Sequence, residues 1–160
     1  YSNISEFVLT DSSGNSVSSA ELAGKVWIAD FIFTTCAGTC PSMTEKMRRL
    51  QDALPSDIHF VSITVDPERD TPQVLASYAK SYGADASRWR FLTGDKDAIY
   101  KLSIETFKLA VDDTMGTDAE PITHSTRFVL VDQQGRIRGY YSGMEEPDLD
   151  PLSSAARSLL

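Results

Sequence analysis

Two cysteines occur in this 160-residue chain, and both lie in one short stretch, Phe33-Thr34-Thr35-Cys36-Ala37-Gly38-Thr39-Cys40-Pro41. A thiolate is a nucleophile and also a soft metal ligand, so a close pair can form a disulfide or clamp a metal ion. Three residues separate the cysteines, and Gly38 among them lets the chain fold back. Pro41 suits the first position of a helix and pushes Cys40 out of the helical region, which sets Cys40 beside the N-cap. Free backbone N–H groups and the positive end of the helix dipole favour a thiolate there. The plain alternative, two apolar thiols in a core, sits badly with the polar loop that holds both. Spacing alone leaves redox chemistry and metal binding equally open.

The elements around the pair follow from periodicity. Val26 to Phe33 is an unbroken apolar run and reads as a buried strand leading into Cys36. Met43, Met47, Leu50 and Leu54 recur at helical spacing behind Pro41, and Pro55 stops that helix. Upstream, Phe7-Val8-Leu9-Thr10, a turn at Asp11–Asn15 and a return at Ser16-Val17 predict a hairpin, then a helical turn through Leu22 ended by Gly24. Downstream, Ile58–Val65 is a strand with His59 near its start, and Thr71-Pro72 opens a helix that Gly83 ends. Trp89–Thr93 is a short strand, and Asp95 to about Leu109 a helix. Residues 110–123 have no period and hold Asp112, Asp113, Asp118 and Glu120, which predicts a mobile loop delivering His124. Thr126–Val131 and Ile137–Tyr141 flank Asp132-Gln133-Gln134-Gly135, a hairpin signal, and a last helix runs from about Asp148 to Leu160. Strands alternating with helices predict an α/β protein with a mixed central sheet flanked by helices and an N-terminal β-hairpin. A cysteine pair closing the first core strand and opening the next helix is the thioredoxin-like arrangement.

Length and composition predict a single domain over residues 1–160, with 41% hydrophobic and 24% charged residues. The net charge of −8 is spread along the chain without a basic block, which argues against nucleic acid and anionic membrane surfaces as partners. No apolar run reaches the length of a membrane span. The chain begins at Tyr1, so a processed product is expected, with room for a signal or membrane anchor upstream.

Four stretches together resemble the Sco (SenC/PrrC) family of copper-binding, thioredoxin-fold proteins that assist cytochrome c oxidase assembly. They are Phe33–Pro41, Val65-Asp66-Pro67-Glu68-Arg69-Asp70-Thr71-Pro72, Thr123-His124-Ser125-Thr126 and Val131-Asp132-Gln133-Gln134-Gly135. The likeness runs from about Phe7 to the C-terminus. It implies that Cys36 and Cys40 are the thiolate ligands and His124 the imidazole ligand of copper, as Cu(I) or Cu(II), with Asp66 an acidic neighbour behind the ligands. One departure stands out: family loops often carry Pro and an acidic residue between the cysteines, where this chain has Ala37, Gly38 and Thr39. The resemblance further implies a monomer in a bacterial periplasm, with or without an upstream anchor, or alternatively at the mitochondrial inner membrane facing the intermembrane space. Its partner would be the copper-site subunit of the oxidase or another copper chaperone.

Physical chemistry is consistent with copper. Soft sulfur selects Cu(I), imidazole suits copper in either state, and a three-ligand site leaves a direction open for transfer, whereas structural zinc wants a fourth ligand. The competing reading is a thiol–disulfide oxidoreductase with Cys36 and Cys40 as its catalytic pair, reducing the cysteines of a copper-site partner. A peroxide-reducing relative is the weakest of the three. His59 reads as structural, and Met43 and Met47 read as core packing. Asp66 and Arg69 are either a functional pair or an ion pair of the turn before the Thr71 helix.

Overall fold

The computed structural model describes residues 3–35, 40–107, 127–142 and 149–160. Its strands are β1 (Val8–Asp11), β2 (Ser16–Ser18), β3 (Val26–Ile32), β4 (Ile58–Thr64), β5 (Trp89–Thr93), β6 (Arg127–Val131) and β7 (Ile137–Ser142). The helices are α1 (Cys40–Ala53), α2 (Pro72–Ser81), α3 (Lys96–Lys101) and α4 (Leu149–Ser158), and a 3₁₀ turn spans Ser19–Leu22. One seven-stranded sheet runs in the order β2-β1-β5-β4-β3-β6-β7. The pairs β3–β4 and β4–β5 are parallel, and the pairs toward both edges are antiparallel. The mixed sheet and the N-terminal hairpin are therefore as the sequence predicts.

β3 and β4 are central and parallel, so both their faces are covered, and every residue of β3 is buried. Register sets the two faces. Ile28, Asp30 and Ile32 pair with Phe60, Ser62 and Thr64, and Phe60 and Ser62 pair with Trp89 and Phe91, so these side chains share one face. The Tyr78 ring of α2 meets Phe91 edge-on at 6.1 Å, and its hydroxyl lies 2.9 Å from Thr44 Oγ1 of α1. That face is the one α1 and α2 cover. Opposite it, Trp27 and Phe31 meet the Phe107 ring at 6.1 and 5.4 Å, which brings the α3 side of the chain over the second face. Met43 and Met47 are fully buried, in keeping with core packing.

The local signals that bound the elements act as expected. Thr71 caps α2 through Val74 N–H, with Pro72 in its first turn. Gly83 ends that helix at φ +68°, and a Cβ there would collide with the Arg48 guanidinium, which donates to Tyr82 O at 2.7 Å. Asp95 caps α3 through Ala98 N–H. The helix expected over 95–109 differs in kind. It is α-helical only to Lys101 and continues as a π turn over Leu102–Thr106, with Phe107 N–H donating to Leu102 O at 3.0 Å. The wider turn carries the Phe107 ring into the core against Trp27 and Phe31. The rest of that predicted helix and the aperiodic segment 110–123 lie outside the described residues.

Asp132 organises the β6–β7 turn. It is 1% exposed, accepts from the backbone N–H of Gln134 and Arg136, and takes Arg136 Nε at 3.1 Å and Arg138 Nη1 at 3.3 Å. Burial pushes its carboxyl up, but those donors outweigh burial and hold it below the ordinary range. β6 runs antiparallel to β3 with Val131 opposite Trp27, so this turn lies at the far end of the sheet from the cysteine loop.

Candidate metal centre at the ends of β3 and β4

β3 and β4 are parallel, so the chain leaves both at one edge of the sheet. β3 leads into Cys36, and β4 leads into Asp66. Crevices outside the carboxyl ends of parallel strands are where open α/β sheets bind ligands. α1 begins at Cys40 itself, one residue earlier than Pro41 predicts, and so still places that residue at a helix N-terminus. Cys36 and His124 lie outside the described residues, as does the side chain of Cys40. His59 pairs in register with Trp27 at the opposite end of β4 and is half-buried, remote from this edge. Burial, with Lys25 and Arg88 nearby, lowers its pKa.

Asp66 takes its position from the turn that follows β4. Its backbone O accepts from Arg69 N–H at 3.1 Å and Asp70 N–H at 2.9 Å, and its own N–H donates to Thr64 Oγ1 at 3.0 Å. The side chain is nearly buried, and Oδ2 has no hydrogen-bond partner among the described residues. Arg69 Nη1 approaches it only to 3.7 Å from an exposed position. Burial raises the Asp66 carboxyl above its ordinary range, and Arg69 opposes this. Both readings of the Asp66–Arg69 pair thus keep some support: the backbone makes a tight turn, and an acceptor is left over. A buried carboxylate oxygen without a donor is costly and calls for a partner, such as a cation or a protonated ligand.

Asp70 is the residue of this edge that motif reading passed over. It is fully buried. Oδ2 accepts from Thr34 N–H at 3.0 Å and from Thr64 Oγ1 at 2.7 Å, and Oδ1 accepts from the Thr34 hydroxyl. The Asp-Thr-Pro run offered a signal, since Thr71 and Pro72 alone suffice to start α2 and leave Asp70 unexplained. Nothing in the sequence, however, says that Asp70 reaches back across 36 residues to Thr34.

Two thiols where a strand turns into a helix, with an acidic turn on the neighbouring parallel strand, can hold a soft metal or exchange a disulfide. Comparison with known proteins narrows the setting. The SCO1/SenC family model matches residues 2–156. The chain belongs to that family. The SCO1 protein homolog of Bacillus subtilis is 35% identical over 159 residues, covering 97% of this chain and 81% of that protein. Among solved Sco structures, BsSco, described as a member of the Sco family of cytochrome c oxidase assembly proteins and carrying a disulfide switch, has a TM-score of 0.87. It is 34% identical and covers 99% of this chain and 93% of its own. Arabidopsis thaliana ScoI with copper bound has a TM-score of 0.81 at 26% identity, covering 96% of this chain and 95% of that one. The Sco fold is thus matched along nearly the entire chain, with the thioredoxin-like arrangement that the sequence predicts.

Proposed function

We propose that this chain is a copper-binding metallochaperone for cytochrome c oxidase assembly, with Cys36, Cys40 and His124 holding the ion and Asp66 beside it. The observation that carries this is membership of the SCO1/SenC family over residues 2–156, in a chain whose two cysteines fall together where β3 turns into α1. A family member of closely similar fold has been solved with copper bound. The donor set fits the ion: two thiolates favour Cu(I), and a single imidazole accommodates either oxidation state. Copper is cargo here. Both thiols lose their protons as it enters, so loading depends on pH. Three ligands leave one direction through which a recipient can take the ion. We assign as recipient the copper-site subunit of the oxidase or another copper chaperone, and the working form as a monomeric single domain outside the cytoplasm.

Disulfide exchange has its own support, because the similar BsSco carries a disulfide switch. The two roles need the same sulfurs and exclude each other at any instant. His124 separates them, since copper needs an imidazole and disulfide exchange does not. Titration of Cu(I) against a competing chelator is expected to give one copper per chain. Outer ligand partners alone are worth about 10–100-fold in metal affinity, so His124→Ala, which removes a direct ligand, should weaken binding by at least about that much. A variant that binds as tightly as the parent removes His124 from the site. Intact thiol–disulfide exchange in the same variant would then favour the second role.

A further inference from the structure

We propose that Asp70 is a positioning residue for the copper site, a clamp that acts through Thr34 to fix the chain where it enters the cysteine loop. This deepens the copper-binding reading and rests on it. Asp70 follows the β4 turn, whereas Thr34 follows β3 and stands two residues before Cys36. The carboxylate grips Thr34 at two points, its backbone N–H and its hydroxyl, and so fixes both the peptide orientation and the side-chain rotamer. Thr64 Oγ1 supplies a third donor, at 2.7 Å, from the last residue of β4. Val65 N–H donates to Ile32 O at 2.8 Å and extends the β3–β4 pairing past the last regular strand residue. The ends of the two strands are thus tied together by one buried carboxylate immediately before the first thiol.

Capping of α2 does not account for this arrangement. Thr71 already accepts from Val74 N–H and Pro72 already opens the helix, so α2 is provided for without Asp70. Among the described residues no cation pairs with Asp70, although it is fully buried. A buried carboxylate held only by neutral donors is an expensive way to join two strand ends, and apolar packing would do so at less cost. What the carboxylate adds is direction. Metal ligands must be held to about 0.5 Å by a rigid supporting shell, and the residues between the cysteines are Ala37, Gly38 and Thr39, without the Pro that the family resemblance leads one to expect there. Thr34 stands two residues before Cys36, so the grip on it fixes the chain just ahead of the first thiol.

The test compares Asp70→Asn, Thr34→Val and Thr34→Ser with Asp132→Asn, whose turn lies at the far end of the sheet. Each protein is loaded with one Cu(I) and mixed with excess chelator, and the rate of copper loss is recorded beside the thermal midpoint. Misplacing a reacting group slightly can cost about 100-fold, so Asp70→Asn and Thr34→Val should release copper at least about tenfold faster than the parent. Thr34→Ser keeps both donors and should stay within about threefold. Asp132→Asn should melt lower yet release copper at the parental rate. Because Asp70 acts through Thr34, the double variant Asp70→Asn/Thr34→Val should be no more than about twofold faster than either single one. Parental release from Asp70→Asn, release from Asp132→Asn as fast as from Asp70→Asn, or multiplying effects in the double variant would overturn the clamp. A parent that binds no copper sinks the metallochaperone reading instead. The clamp is then judged from hydrogen exchange at the Thr34 amide, which needs no metal: it should quicken at least about tenfold in Asp70→Asn, and an unchanged rate overturns the proposal.

Discussion

Arg88→Ala is expected to remove about 3–5 kcal/mol of folding stability, the cost of leaving several buried acceptors unpaired at once. Arg88 immediately precedes β5 and is 9% exposed. Its guanidinium donates to Gln51 O at 2.8 Å, Leu54 O at 3.2 Å, Pro55 O at 2.7 Å and Ile58 O at 3.0 Å from Nη2 and 3.2 Å from Nε. Gln51 and Leu54 belong to the last turn of α1 and its exit, where carbonyls have no partner within the helix. One planar cation therefore caps α1, closes the connection to β4 and meets the negative end of the helix dipole. The Phe60 ring, 5.3 Å from its carbon, completes the pocket. Burial lowers the Arg88 pKa, while Asp85 and Asp52 oppose that, and the group stays charged throughout the physiological range. Lysine cannot fork to four carbonyls, so Arg88→Lys should recover less than half of the loss. Urea unfolding of the parent and both variants measures this, and the alanine variant should melt on the order of 10 °C lower. A loss below about 1 kcal/mol would mean that water replaces the guanidinium at these carbonyls.

Arg88 also shows what a sequence hides. Its neighbours Asp85, Ser87 and Trp89 mark a turn into a strand, and that much is local information. Its acceptors lie 30 to 37 residues earlier, at a helix end that reads from the sequence only as a stop before Pro55. The elements themselves were legible because their signals are local: the apolar run of β3, the Met43–Met47–Leu50–Leu54 spacing of α1, Thr71-Pro72 before α2 and Gly135 in the β6–β7 turn. The π turn after Lys101 was not, because an α-helical period over six residues cannot reveal a wider turn beyond them. At the candidate site, Cys40 opening a helix and Asp66 in a turn follow from Pro41 and Pro67 nearby. The link from Asp70 to Thr34 is set by strand order, and strand order emerges only when β3 and β4 pair.

Asp30 shares this character, and a single substitution there is expected to change how stability depends on pH. It pairs in register with Ser62 in the middle of the sheet and is fully buried. Oδ1 accepts from Ser62 Oγ at 2.6 Å, Ser62 Oγ accepts from Trp89 Nε1 at 3.1 Å, and Oδ2 has no partner among the described residues. Burial pushes its pKa from 3.8 up to about 7, and the Ser62 hydrogen bond and its own backbone only temper the rise. In the unfolded chain the carboxyl ionises near its ordinary value, whereas the folded protein keeps it protonated to about pH 7. Between about pH 4 and 7 the folded state therefore holds one proton more than the unfolded state, and stability from this group falls as pH rises, then levels off. The whole decline is on the order of 4 kcal/mol, at 1.36 kcal/mol for each pH unit of that interval. Asp30→Asn keeps the shape and the acceptor for Ser62 but does not titrate. The stability of the variant relative to the parent should therefore increase from about pH 4 to 7 and stay constant above, whatever fixed cost its buried amide adds. Comparing the variant with the parent at each pH cancels the other carboxyls, of which Asp132 acts with opposite sign below about pH 4. Urea midpoints of both proteins at about pH 5, 6, 7 and 8 give this difference directly. A difference independent of pH over that range would mean that Asp30 is ionised in the folded protein and that a donor meets Oδ2.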